Sequence, residues 1–257
     1  AGDVQMIEAV PTADIAQLKN DARVSLASVV SNRIIYLHMD SAREKNSPFV
    51  TDRAGKPLEA NPLRDPRVRK AISKAIDRET IVSRIMEGQA QPAGQLLPET
   101  FFGTSKRLPA EKYDPEGAKK LLAEAGYPNG FGLTLHTPNN RYINDEKIAQ
   151  AVAQFLTRAG IPTKVEAMPS AVFFSRGSKL EFSFLLAGWG AETGETSSPL
   201  RSLLATFDTA QGMGGANRGR FSDAGLDALI STALTTIDDT KRGLILAAAS
   251  DKAIAEL

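Results

Sequence analysis

GLTLHTPNNRYINDEKIAQAVAQFLTRAGIPTKVEA, residues 132–167, carries a strand, a loop, a helix and a second strand in that order. The short β-prone run at 132–136 empties into the polar sequence Thr137-Pro138-Asn139-Asn140-Arg141. A helix then opens at Asn144-Asp145-Glu146. Ile148, Val152, Phe155, Leu156 and Ala159 recur on one helical face until Gly160 stops it. Strand 163–167 follows at once. A crossover through one helix of this length joins parallel neighbours with a right-handed connection.

Toward the C-terminus, a short helix over 170–179 returns the chain to a third strand at 182–188. That strand opens FSFLLAGWGAETGETSSP, residues 182–199. It discharges into a glycine-punctuated loop with the only Trp of the chain and two Glu. With all three strands parallel, the Arg141 loop and the loop at 189–192 leave the same edge of the sheet, where open α/β sheets bind ligands. The expected class is α/β, with a mixed or parallel sheet flanked by helices.

The flanks read mostly as helices announced by caps. Residues 12–18 form a short helix, 24–39 are β-branched and apolar enough for extended structure, and polar 41–61 mark a loop or a crossing between domains. Asp65-Pro66 and Asp114-Pro115 each place an acceptor before a Pro whose missing N–H is harmless at the first helical position. Asp77 caps a further helix. Beyond Pro199 come a helix at 200–207, a glycine-rich loop at 212–215, a helix opened by Ser222-Asp223, and a helical run over 241–257. Ala1-Gly2-Asp3-Val4 enters mid-pattern and the last helix ends without a stop signal, so a processed or recombinant fragment is expected.

Composition excludes several classes of chemistry. Among 257 residues, 31 basic against 30 acidic side chains give no electrostatic case for a nucleic-acid partner. Cysteine is absent, which removes disulfides, thiolate metal sites and Cys nucleophiles. No run of 18 or more apolar residues exists, which argues against a membrane-spanning helix. The two histidines, His38 and His136, lie far apart with no HExxH, and no GxSxG or phosphate loop is present. Gly212-Met213-Gly214-Gly215 lacks the strand and helix that a dinucleotide loop needs. No catalytic residue, metal or cofactor is expected.

The two loops instead suit binding. Arg141 offers a forked cation for a carboxylate and Glu192 an acceptor for an ammonium, so together they describe a zwitterionic guest. Trp189 supplies a flat wall, and Gly188 and Gly190 leave backbone open to approach. Asn140 and Thr193, from the same loops, complete the candidate set. The competing readings are an Arg141 surface pair with Asp145 or Glu146, a core role for Trp189, and Glu195 in place of Glu192.

Four stretches then point the same way: NPLRDPRVRKAISKAIDR at 61–78, YDPEGAKKLLAEAGYP at 113–128, GWGA at 188–191 and NRGRFSD at 217–223. In this order they resemble the family 5 extracellular solute-binding proteins, the peptide-binding components of bacterial ABC importers. The resemblance implies a two-lobed periplasmic-binding-protein fold of type II, the large peptide-binding class, closing like a hinge on its solute. Residues 1–40 would be the late part of the N-terminal lobe with its crossing strand, and 41–257 the C-terminal lobe, truncated at its end. In dipeptide- and oligopeptide-binding relatives an Asp three places after the Trp anchors the peptide amine. Glu192 stands there, keeping the charge on a longer arm. Arg141 lies in the loop where dipeptide-binding relatives place a carboxylate-binding Arg. The implied guest is a small peptide or similar solute, although relatives also carry sugars and metal chelates. The implied partner is an ABC permease of the inner membrane, with a monomeric receptor in the periplasm, or outside the cell and membrane-tethered in a Gram-positive source. Two other functions fit the residues: a hydrolase of small amides or esters pairing Glu192 with His136, and a ligand sensor on the same fold.

Overall fold

The unit at 132–167 folds in the predicted order, but its first strand runs on through Thr137 and Pro138, which the pattern assigns to the loop, because both still pair with the second strand. In the computed structural model, which describes residues 5–256, β3 spans Gly132–Pro138, α5 spans Asp145–Arg158 and β4 spans Thr163–Met168, with β3 and β4 parallel. Helix α6, Ser170–Ser178, carries the chain back over β3 to β5, Phe184–Gly190, which is parallel to β3 through His136 and Leu185. Before this unit come α1 (Thr12–Leu18), β1 (Arg33–Met39), β2 (Val50–Thr51), α2 (Pro66–Ala75), α3 (Arg78–Thr80) and α4 (Pro115–Glu124). After it come α7 (Ser197–Pro199), α8 (Ala224–Thr235) and α9 (Asp239–Glu256). Residues 1–4, at which the sequence enters mid-pattern, and residue 257 lie outside the described residues.

The sheet runs β1, β5, β3, β4. β1 is antiparallel to β5, and β2 is antiparallel to the first residues of β3. The sheet is therefore mixed. Since β4 holds one edge of β3 from Leu133 to Pro138, β2 and β5 share the other. The chain leaves β3 toward β4 and then returns across it to β5, so consecutive crossovers put α5 and α6 on opposite faces. The core agrees. Leu133, Leu135, Phe184 and Leu186 pack with α5, α2 and α4 on one face. Leu185, Ala187 and Phe182 pack with Phe173 of α6 on the other. A third cluster joins Leu200, Leu203 and Leu204 to Leu226 and Ile230 of α8 and Leu246 of α9.

The caps behave as local chemistry requires. Asp65, Asp77 and Asp114 accept backbone N–H bonds from Arg67, Thr80 and Gly117. Gly126 and Gly160 end their helices with φ of +91° and +100°, which costs a residue without Cβ little.

Four further expectations are corrected. Of 24–39, only Arg33–Met39 is a strand, because only that part meets β5. The polar segment at 41–61, expected to be without regular structure, contains β2. The third strand starts and ends two residues later than its pattern suggests, so Trp189 and Gly190 belong to the strand, paired with Ile34 and Arg33. The helix expected at 200–207 is a π turn, Leu200–Leu204, that gives way to extended backbone at Ala205.

Candidate functional site

The ends of β3 and β5 form a common rim because the strands are parallel neighbours. The join is direct: Tyr142, next to Arg141, donates its hydroxyl to the carbonyl of Gly188, next to Trp189, at 3.1 Å. Asp145 holds the β3–α5 loop in shape by accepting the backbone N–H groups of Arg141, Tyr142 and Glu146 at 2.9–3.0 Å. Its carboxylate serves the loop backbone, and the Arg141 guanidinium pairs with neither Asp145 nor Glu146. That guanidinium is exposed and lies 5.5 Å from the centre of the Tyr142 ring.

Strand alternation divides the other candidates between faces. Gly188 and Gly190 point to the face of Tyr142: a Cβ on Gly188 would meet Ile35 and Tyr142 at 2.7 and 2.8 Å, and one on Gly190 would meet Arg33 at 3.1 Å. Both glycines thus make room for protein side chains at the rim. Trp189 points the other way, half-buried against the α8–α9 cluster, with its indole N–H donated to Ser198 Oγ at 3.2 Å.

Past β5, pairing continues for one step, with the Ala191 N–H on the Asn32 carbonyl. A tight turn follows, closed by the Gly194 N–H on the Ala191 carbonyl at 2.8 Å. Glu192 and Thr193 are its two corner residues, both exposed. Glu195 is engaged elsewhere, 3.0 Å from Arg242 and only 18% exposed, whereas Glu192 has no ion-pair partner among the described residues. Asn140 accepts the Ser170 N–H at 2.8 Å, so its side-chain oxygen pins the loop to the start of α6.

The structure does not bring His136 to Glu192. His136 is fully buried within the sheet, stacked on Phe182 with ring centres 4.1 Å apart. Burial lowers its pKa, the nearby Glu166 carboxylate opposing. Its Nε2 lies 3.3 Å from Glu166 but off the line of a hydrogen bond. His136 sits beside Leu185, and the strand from there to Gly190 is itself roughly 15 Å long. Among the described residues no group of three or more His, Asp or Glu side chains is placed to hold a metal.

Two rim residues escape a sequence reading. Tyr142 is visible beside Arg141, yet nothing local shows that it reaches Gly188. Arg33 comes to the rim only because β1 pairs antiparallel with β5, placing it opposite Gly190.

Comparison with known proteins gives these parts a setting. A family described as bacterial extracellular solute-binding proteins, family 5 Middle, matches residues 1–211. The chain is 27% identical over 248 residues to Heme-binding protein A of Haemophilus influenzae, covering 94% of this chain and 41% of that protein. It is 32% identical over 195 residues to the glutathione-binding protein GsiB of Escherichia coli K12, covering 74% and 37%. It is 26% identical over 238 residues to the dipeptide-binding protein of the same strain, covering 90% and 40%. The chain thus spans about two fifths of the length of these curated relatives. Among solved structures, the Helicobacter pylori periplasmic binding protein DppA in complex with the peptide STSA superposes with a TM-score of 0.81 at 22% identity, covering 95% of this chain and 44% of that one. HbpA2 of Haemophilus parasuis gives 0.78 at 24%, covering 94% and 44%. These likenesses show the fold, and the family match shows the lineage: the chain belongs to family 5 of the bacterial extracellular solute-binding proteins.

Proposed function

We infer that this chain is the larger part of one lobe of a substrate-binding receptor for an ABC importer, taking a peptide or similar zwitterionic solute at the rim of β3 and β5. The observation that carries the reading is the Tyr142–Gly188 hydrogen bond, since it ties the Arg141 loop to the strand that ends in the Glu192 turn. An exposed cation and an exposed anion, each without an ion-pair partner among the described residues, then share one edge. In this reading residues 1–40 are the late part of the other lobe and the crossing strand β1, whose Arg33 end reaches the rim by pairing with β5, and 41–257 make up the rest of the lobe that carries the rim.

Relatives named for binding glutathione and dipeptides, and a neighbour holding a peptide, support a peptide-like guest. The receptor binds and releases its guest unchanged. Closure of the lobes over the solute is the signal to the membrane permease, because only contacts made in the closed form can drive closure. No helix among the described residues is long and apolar enough to cross a membrane. In this reading the receptor works as a monomer in the periplasm, or outside the cell and tethered to the membrane.

Calorimetry on the full-length protein tests this. Glu192→Gln weakens Ala-Ala roughly tenfold or more and leaves N-acetyl-Ala-Ala unchanged, since only the free amine makes a charge-assisted bond. Arg141→Met likewise penalises Ala-Ala over its C-terminal amide. Equal losses for blocked and free forms remove both residues from the anchoring role.

A further inference from the structure

The rim holds one more cation than a simple zwitterion needs. The Arg33 guanidinium lies 5.9 Å from the centre of the same Tyr142 ring that Arg141 covers at 5.5 Å. Arg33 is exposed and paired in register with Gly190, two residues before Glu192. Neither guanidinium is bonded to a carboxylate among the described residues, and Asp145, the acidic residue nearest to Arg141 in sequence, is engaged by backbone N–H groups. Gly190 keeps this arrangement possible, because a Cβ there would sit 3.1 Å from the Arg33 Nη2.

Two like charges about one ring repel each other, and a carboxylate between or beside them relieves that repulsion. The edge therefore offers two cations and one anion, Glu192. A neutral zwitterion satisfies one of each and leaves a guanidinium without a partner.

We propose that Arg33 is a specificity residue that selects guests with two acidic groups and one amine, an acidic peptide rather than a neutral one, by binding the second carboxylate beside Tyr142. The proposal rests on the peptide-receptor reading above. Arg141 takes the terminal carboxylate, Glu192 the amine and Arg33 the additional acid. Long side chains let one site accept the additional acid from either residue of a dipeptide.

The test is calorimetry on the full-length protein with Ala-Glu against Ala-Gln and Glu-Ala against Gln-Ala, pairs that differ by a charge at nearly constant shape. The acidic member of at least one pair binds roughly tenfold tighter, the size expected of one charge-assisted hydrogen bond at a partly exposed site. Arg33→Gln abolishes that preference, so that the acidic and glutamine members of each pair bind alike, and an unchanged melting temperature shows that the variant is folded. Equal affinity within both pairs, or a preference that survives Arg33→Gln, overturns the role of Arg33 and leaves the peptide reading standing. Failure of all four peptides to bind the parent overturns the peptide reading and this proposal with it.

Discussion

Single side chains do two kinds of work here, and burial separates them. Arg33, Arg141 and Glu192 are exposed and lack ion-pair partners among the described residues, which leaves their charges open to the proposed guest. His38 is the opposite case. It sits on β1 at 8% exposure, accepting the Gly219 N–H at 3.3 Å. Burial, aided by the charge of Arg218, pushes its pKa down to about 4. The folded protein then holds His38 neutral where the unfolded chain, near the ordinary value of about 6.5, would protonate it. Stability is whole above about pH 6.5 and falls as pH drops toward 4, by at most about 3 kcal/mol from this group. His136 is shifted in the same direction. Urea unfolding at pH 7.5 and 4.5 should show a smaller acid loss for His38→Gln than for the parent. Equal losses contradict the assignment.

Whole elements were legible in the sequence wherever their determinants are local. Asp65, Asp77 and Asp114 each cap a helix through a backbone N–H two or three residues on, and such spacings can be read without knowing the fold. Strand ends are different. β5 reaches Gly190 because β1 pairs with it as far as Arg33, a partner 157 positions away, and no window of sequence contains both. The β-branched run at 24–32 failed for the same reason: propensity without a ladder partner does not make a strand. The candidate site is half legible. Its two loops and their common edge follow from the β-loop-α pattern, whereas the division of Trp189 and Tyr142 between faces depends on where the strand stops. Gly188 tests this packing. Gly188→Ala forces a Cβ against Ile35 and Tyr142, and overpacking of this kind costs about 1–3 kcal/mol. Because the displaced ring carries the Tyr142–Gly188 bond, solute affinity should fall as well. Unchanged melting temperature and affinity together would show that the two loops are not coupled through this contact.

The chain as a whole is a scaffold that presents one rim. Three apolar clusters brace the sheet on both faces and at its β5 end, and the signature stretches at 61–78, 113–128 and 217–223 serve that bracing. Asn217 shows how: it is fully buried and bonds the carbonyls of Ala205 and Phe221. In the proposed receptor a second lobe closes on this rim, so the guest touches the ends of β3 and β5 rather than a pocket enclosed by one lobe. The direct test is a crystal structure of the full-length protein with an acidic dipeptide bound. It should place the peptide amine about 3 Å from the Glu192 carboxylate and a peptide carboxylate about 3 Å from the Arg141 guanidinium. A guest bound with neither residue in contact would contradict the account.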